Sequence, residues 1–302
     1  MPIKTIVVAL AATDDDQRIA ERAVQLANQH QAQLIGVHVL DSLPPQDDGL
    51  PSAIDTAALA NAMREQSEVQ LRQLLVHAHR PASIQLETGK PHEAIEQIAA
   101  RCHADLLIIG PGVARNLREN VFGSTADRLV RQAPCPVLVV RREVAGPYAR
   151  VAVGLDPSRH AQQALHHAAQ LSPGAALELI HAVQIPQPFI QAMLRAGTPK
   201  AEIERYRRAR ARMARQQIME IFNERGPLPD NSRLKIIHGD PGLSLLRISR
   251  MKSIDLVAIG TQGAGAVSQL VLGSVARKVL SAAGSDVLTV SAAAVELRRS
   301  CF

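Results

Sequence analysis

The feature that most constrains this 302-residue chain is that it repeats itself. Shifted by 150 residues, Gly89-Lys90-Pro91 falls on Gly239-Asp240-Pro241, Asp105-Leu106 on Asp255-Leu256, and Ile109-Gly110 on Ile259-Gly260. Gly123-Ser124 falls on Gly273-Ser274 and Val137-Leu138 on Val287-Leu288 at the same offset. Near the N-terminus the offset is 145, which sets Ile6 to Leu10 on Val151 to Leu155, so the second copy carries about five extra residues in its middle. Arg141, Arg142, Gly146 and Pro147 interrupt the apolar pattern at the join. The expected domains are residues 1–142 and 148–302, each of a size that closes one core.

Within a copy, apolar runs alternate with helical periodicity. Ile3 to Leu10 reads as a strand, and Asp16 to Asn28 as a helix with Ile19, Ala20, Ala23, Val24 and Ala27 on one face. Leu34 to Leu40 is a second strand, and a Pro-rich loop then leads to a long helix over Ser52 to His79. The strand Ser83 to Glu87, helix His92 to Cys102, strand Asp105 to Ile109, helix Ser124 to Gln132 and strand Pro136 to Val140 complete the copy. Continuous apolar strands joined by helices imply a parallel sheet covered on both faces, because right-handed crossovers place helices on either side. The expected fold is therefore α/β, two tandem doubly wound domains. Ligands of such sheets bind beyond the carboxyl ends of the strands, where successive connections diverge, which directs attention to the loops after the first and fourth strands.

Composition narrows the function. At 46% apolar and 21% charged residues, the chain matches a folded globular protein, and no apolar run approaches the length of a membrane span. With no visible secretory signal, a cytoplasmic location is expected. Cys102, Cys135 and Cys301 are scattered and form no metal or disulfide pattern. Residues 1–142 hold 14 Lys and Arg against 16 Asp and Glu, while residues 143–302 hold 20 against 12, so the net +6 belongs to the second copy. Arg205, Arg207, Arg208, Arg210, Arg212 and Arg215 concentrate that charge. With no Trp and few other aromatics, they read as the solvated side of a helix rather than a nucleic-acid surface. The run Asp14-Asp15-Asp16 reads as helix capping rather than a metal site. Neither His77-x-His79 nor His166-His167 has the companions a zinc site needs, and no metal is assigned.

The second copy carries the chemical signal. After its fourth strand come Gly260-Thr261-Gln262-Gly263, nine residues, and Gly273-Ser274 opening a helix, the pattern G-x2-G-x9-G-S. Glycines let backbone amides approach an anion closely, and a helix start offers free amides at the positive end of the dipole. The first copy keeps Gly110, Gly123 and Ser124 but has Val113 at the second motif glycine, with Gly112 one place out of register. Ser124-x-x-Asp127 suggests an internal capping box, while Ser274-x-x-Arg277 puts a cation where the dipole disfavours it, a strain an external anion relieves.

These residues resemble the universal stress proteins, whose ATP-binding members carry G-x2-G-x9-G-(S/T) between the fourth strand and the last helix. The resemblance spans almost the whole chain, twice. It includes the strand ending Val151-Ala152-Val153-Gly154-Leu155-Asp156, then His181 and Val183, the Gly239-x-Pro241 turn and the closing strand Pro136 to Val140. It implies a five-stranded sheet of order 3-2-1-4-5 in each domain. It also implies Asp156 beside an adenosine, Val183 near the base, and Gly260, Gly263, Gly273 and Ser274 around ribose and phosphates. Ala11 stands where the first copy would need the carboxylate, so its nucleotide site is expected to be degenerate.

The resemblance further implies a stress-response role, ATP (or ADP or AMP) as ligand with Mg²⁺ held by the phosphates, and pairing of the two copies through Pro136 to Val140 and Asp286 to Ser291, with a homodimer as a further option. ATP would order the loop from Gly260 to Gly273 and so change a surface that a partner reads. No hydrolase elbow or P-loop is present, so a regulatory rather than catalytic protein is expected. A slow ATPase or phosphotransferase and a nucleotide-free scaffold are the alternatives.

Overall fold

The computed structural model describes residues 2–40, 55–112, 122–225, 228–263 and 271–297. They form two compact units, one over Met1–Pro147 together with the chain from Ala293, the other over Tyr148–Ala292.

The first unit runs β1 (Thr5–Ala9), α1 (Asp16–His30), β2 (Gln33–Leu40), α2 (Thr56–Leu74), β3 (Ser83–Thr88), α3 (Pro91–Arg101), β4 (Leu106–Ile109), α4 (Ser124–Gln132) and β5 (Val137–Val139). Its strands are parallel in the order β3-β2-β1-β4-β5, with Val7 opposite both Ile35 and Leu107. The second unit runs β6 (Arg150–Gly154), α5 (Arg159–Leu171), β7 (Ala176–Val183), α6 (Gln187–Arg195), α7 (Lys200–Arg225), β8 (Ser232–His238), α8 (Pro241–Ser249), β9 (Leu256–Gly260), α9 (Ser274–Ala282) and β10 (Asp286–Val290). Its parallel order β8-β7-β6-β9-β10 is the same 3-2-1-4-5 topology. A short helix, α10 (Ala292–Leu297), follows. The central strands are wholly buried from Ile6 to Val8 and from Val151 to Val153, as both-face coverage requires. In each unit the crossover reverses after the third strand, so the first and fourth strands are the ones whose connections part to opposite faces.

Several matched residues of the repeat are structural. Asp105 accepts the amides of Lys4 (2.8 Å) and Thr5 (3.1 Å), and Asp255 those of Ala149 and Arg150 (2.9 Å each), so each carboxylate fixes the start of its central strand. His38 Nδ1 meets the Leu10 carbonyl at 2.8 Å, and His181 Nδ1 meets that of Leu155 at 2.9 Å. A carbonyl only accepts, so each Nδ1 carries the proton. Gly89 (φ 113°) and Gly239 (φ 132°) supply the left-handed turn ahead of α3 and α8.

The long helix expected over residues 52–79 is shorter. Residues 52–54 lie outside the described residues, Asp55 caps α2 through the amides of Ala57 and Ala58, and the helix ends at Leu74. Asn28 of α1 accounts for the early end. Its amide donates to the His77 carbonyl and its carbonyl accepts the His79 amide, which draws that backbone away from helical bonding.

The additional residues of the second copy accompany a helix the sequence pattern does not announce. α6 ends at Gly197 (φ 75°), where the Thr198 amide reaches back to Met193, and Phe189 packs on Tyr206 of α7 with ring centroids 5.7 Å apart. α7 buries Ile203, Ile218 and Phe222 and carries the arginines outside that strip. Arg205 pairs with Glu202, Arg207 with Glu204, and Arg215 donates to the Leu234 carbonyl. The capping expected of the acidic run takes another form. Asp15 stands at the N-cap of α1 without a capping bond and pairs with Arg18 at 2.8 Å, while Asp16 turns back to the preceding loop.

Among the described residues no helix is long and apolar enough to cross a membrane, and no three His, Cys, Asp or Glu are gathered as metal ligands. Cys102 and Cys135 form no disulfide among the described residues, and Cys301 lies outside them.

Candidate functional site

A hollow of about 390 Å³ opens at the carboxyl ends of β6, β7 and β9. Leu155, Ile180, Ala182, Leu245 and Ile259 form apolar walls suited to a flat ring. Opposite them stand Gly273, Ser274, Val275 and Ala276, the start of α9. The first intrahelical bond of α9 runs from the Arg277 amide to the Gly273 carbonyl at 2.9 Å. The amides of Ser274, Val275 and Ala276 therefore have no partner within their own helix, and no side chain caps them. With no acidic residue in the first turn, this end presents uncompensated positive dipole to the hollow.

Gly273 plays a part other than the one its motif suggests. Its amide donates to the Thr261 carbonyl at 2.8 Å and is spent closing the loop, and a Cβ there would stand 3.1 Å from that oxygen. Gly123 repeats the arrangement, with its amide 3.0 Å from the Pro111 carbonyl. Gly260 lines the hollow, yet its bare Cα serves helix packing, since a Cβ would lie 2.6 Å from His160 Cβ and 3.0 Å from the His160 backbone. Gly110 likewise faces Ile19 of α1, whose Cδ1 would lie 2.7 Å from a Cβ at this position. Gly263 is the glycine that opens space at the site. A Cβ there would meet Asp156 Oδ2 at 2.9 Å, so the bare backbone and the carboxylate at the end of β6 need each other. Asp156 Oδ1 accepts the Ser158 amide at 3.0 Å, and the Ser158 hydroxyl caps α5 through Ala161.

Val183 is the buried last residue of β7, next to Ala182 on the wall of the hollow, and its carbonyl accepts the Gly239 amide at 3.2 Å. One expectation is corrected. The capping box at Ser124 is absent. Gly123 holds the N-cap, which moves Ser124 to the first helical position, and Asp127 pairs with Arg131 at 2.7 Å instead. Thr261 and Gln262, the two unassigned positions between the motif glycines, are 3% and 7% exposed and line the hollow. Their place in a glycine motif at a strand end was the available signal.

At the edge of the site Asp240 caps α8 through the Leu243 amide (2.7 Å) and meets Lys278 of α9 at 3.0 Å. The amide bond first, and the ammonium second, hold its carboxyl below the usual range.

The first unit keeps a hollow at the matching strand ends, about 620 Å³, lined in part by Ala11, Asp16, His38, Gly110 and Gly112. Here Asp16, 3% exposed, accepts the amides of Ala11 (3.1 Å) and Ala12 (2.9 Å). Gly112 (φ 78°) lies against Gly123, where a Cβ on either would come within 2.9 Å of the other's Cα. Val113 lies outside the described residues.

Two tandem doubly wound units, each with a hollow at its topological switch point, define the class. The chain belongs to the universal stress protein family, whose sequence profile matches residues 2–141 and again 147–291. A universal stress protein of Thermus aquaticus is 31% identical over 138 residues, 46% of this chain and 98% of the relative. One from Methanocaldococcus jannaschii is 26% identical over 142 residues, 46% of this chain and 82% of its own length. Among solved structures, a putative universal stress protein of Pseudomonas aeruginosa matches with TM-score 0.63 at 18% identity, covering 99% of this chain and 97% of that one. One from Archaeoglobus fulgidus matches with TM-score 0.63 at 17% identity, over 95% and 98%. The two structures share the fold.

Proposed function

We propose that the second unit binds an adenine nucleotide, with ATP as the physiological ligand, and that the protein is a nucleotide-responsive stress regulator rather than an enzyme. The observation that carries this reading is the open start of α9. Three amides without a partner among the described residues, at the positive end of a helix dipole, border a hollow whose other walls are largely apolar, the combination that suits a base at one side and phosphates at the other. Asp156, at the end of the central strand and held by the Ser158 amide, stands between the two as an acceptor for ribose hydroxyls. Ser274 lends its hydroxyl at the helix start, and Mg²⁺ would arrive with the phosphates, which supply most of its oxygen ligands.

The regulatory assignment follows from the titratable groups that line the hollow. Among the described residues these are Asp156 and His181, and each is already bonded to the backbone. These bonds give each side chain a structural task at the strand ends, which supports the regulatory reading.

Calorimetric titration of the full chain with ATP tests the reading. Binding to the wild type is expected, with a loss of about tenfold to a hundredfold in Gly263→Val, whose side chain collides with Asp156. Unchanged affinity in the variant would place the ligand elsewhere.

A further inference from the structure

We propose that Arg277 is the residue by which the second hollow distinguishes nucleotides by phosphate number, pairing with the outer phosphates and favouring a triphosphate over a monophosphate. This deepens the nucleotide reading above and rests on it.

Arg277 is exposed, and among the described residues its side-chain hydrogen bond is a long contact of 3.5 Å from Nη2 to the Leu272 carbonyl. No carboxylate pairs with it among the described residues. From Thr261 to Gly273 the sequence holds no charged side chain at all, and the first turn of α9 holds no acid. Helical side chains lean toward the N-terminus of their helix. The contact with Leu272, the residue just before the N-cap, shows the guanidinium already lying level with the unpaired amides. Alone, a cation there opposes the helix dipole, whereas a phosphate between the two satisfies both. The neighbouring cation does not compete for this task, since Lys278 is committed to Asp240 at 3.0 Å.

The first unit shows the opposite choice. Asp127 occupies the matching position and is closed by Arg131 one turn on, so that helix start carries its own internal ion pair. Thr261, 3% exposed, also lies on the wall of the hollow, where the first unit has Pro111.

The test is calorimetry of the full chain with ATP, ADP and AMP, for the wild type, Arg277→Ala and Arg277→Lys. Arg277→Ala is expected to lose about tenfold in ATP affinity and less than about twofold in AMP affinity. Arg277→Lys should recover part of the ATP loss, since a point charge replaces a bidentate one. Arg277→Ala should keep the wild-type thermal midpoint, because the side chain is exposed and makes one long bond. ATP and AMP affinities that fall together, or ATP affinity that does not fall, would overturn the role of Arg277 while leaving nucleotide binding intact. Wild type that binds none of the three nucleotides would overturn the nucleotide reading itself.

Discussion

The first and second units share a topology, a strand order and a hollow at the same strand ends, yet they treat the loop after the central strand differently. In the second unit that loop ends in Asp156, a half-buried carboxylate with one backbone bond to Ser158 and a bare glycine, Gly263, pressed against it. In the first, Ala11 takes that place, and the carboxylate comes from Asp16 of the following helix, buried and bonded to two loop amides. A similar exchange recurs at the last helix of each unit, where Asp127 with Arg131 stands against Arg277 without an ion-pair partner among the described residues. The first unit ties its loop and its last helix with Asp16 and Asp127, whereas the second places a carboxylate before α5 and a cation in the first turn of α9. Gly110, Gly112 and Gly123 of the first unit are parts of its structure, each with a neighbour where a side chain would stand.

The sharpest test of this contrast is the pair of carboxylates. Asp16→Ala removes two backbone hydrogen bonds from a carboxylate that is 3% exposed and is expected to cost about 2 kcal/mol, whereas Asp156→Ala removes one from a half-buried carboxylate and should cost about 1 kcal/mol. Denaturant titration of the two variants would show it, and equal losses would break the distinction between a closed and an open loop.

Next in size are the matched glycines at the helix starts. Gly123→Ala meets the Gly112 backbone at 2.9 Å, with two further backbone atoms at 3.3 Å, and is expected to cost about 2 kcal/mol. Gly273→Ala meets the Thr261 carbonyl at 3.1 Å with little else nearby and should cost about 1 kcal/mol. Thermal unfolding that ranked the two in reverse would restore the view of the first-unit glycine as a relic.

The smallest expected effect separates α8 from α3. Asp240 at the N-cap of α8 has a counterpart, Lys90, that makes no capping bond. The folded carboxyl of Asp240 titrates below its ordinary value, so its contribution is present at neutral pH and is lost as pH falls through the folded value. Asp240→Asn should lower stability by a few tenths of a kcal/mol at neutral pH, a modest figure because the pair is solvent-screened. The gap should close on acidification, and a difference that persisted in acid would assign it to something other than the charge.

Much of this was legible in the chain itself. The repeat offset, the continuous strands and the G-x2-G-x9-G-S spacing led to the doubly wound class and the place of the hollow, because these depend on periodicity and on which residues lack a side chain, while the family resemblance supplied the strand order. What could not be read was which partner used each absence. Gly260 and Gly263 look alike in the sequence, yet one makes room for His160 of a helix and the other for Asp156. Likewise, α6 gave no periodic signal that separated it from the arginine-rich helix beyond it.

The sequence by itself determined the two copies, their parallel sheets and the loops at which a ligand would enter, since local pattern and chirality leave few other ways to bury such strands. Only the tertiary structure decided which amides, hydroxyls and charges remain available there. Availability is what is left after every neighbour has taken its bond, and those neighbours lie far away along the chain.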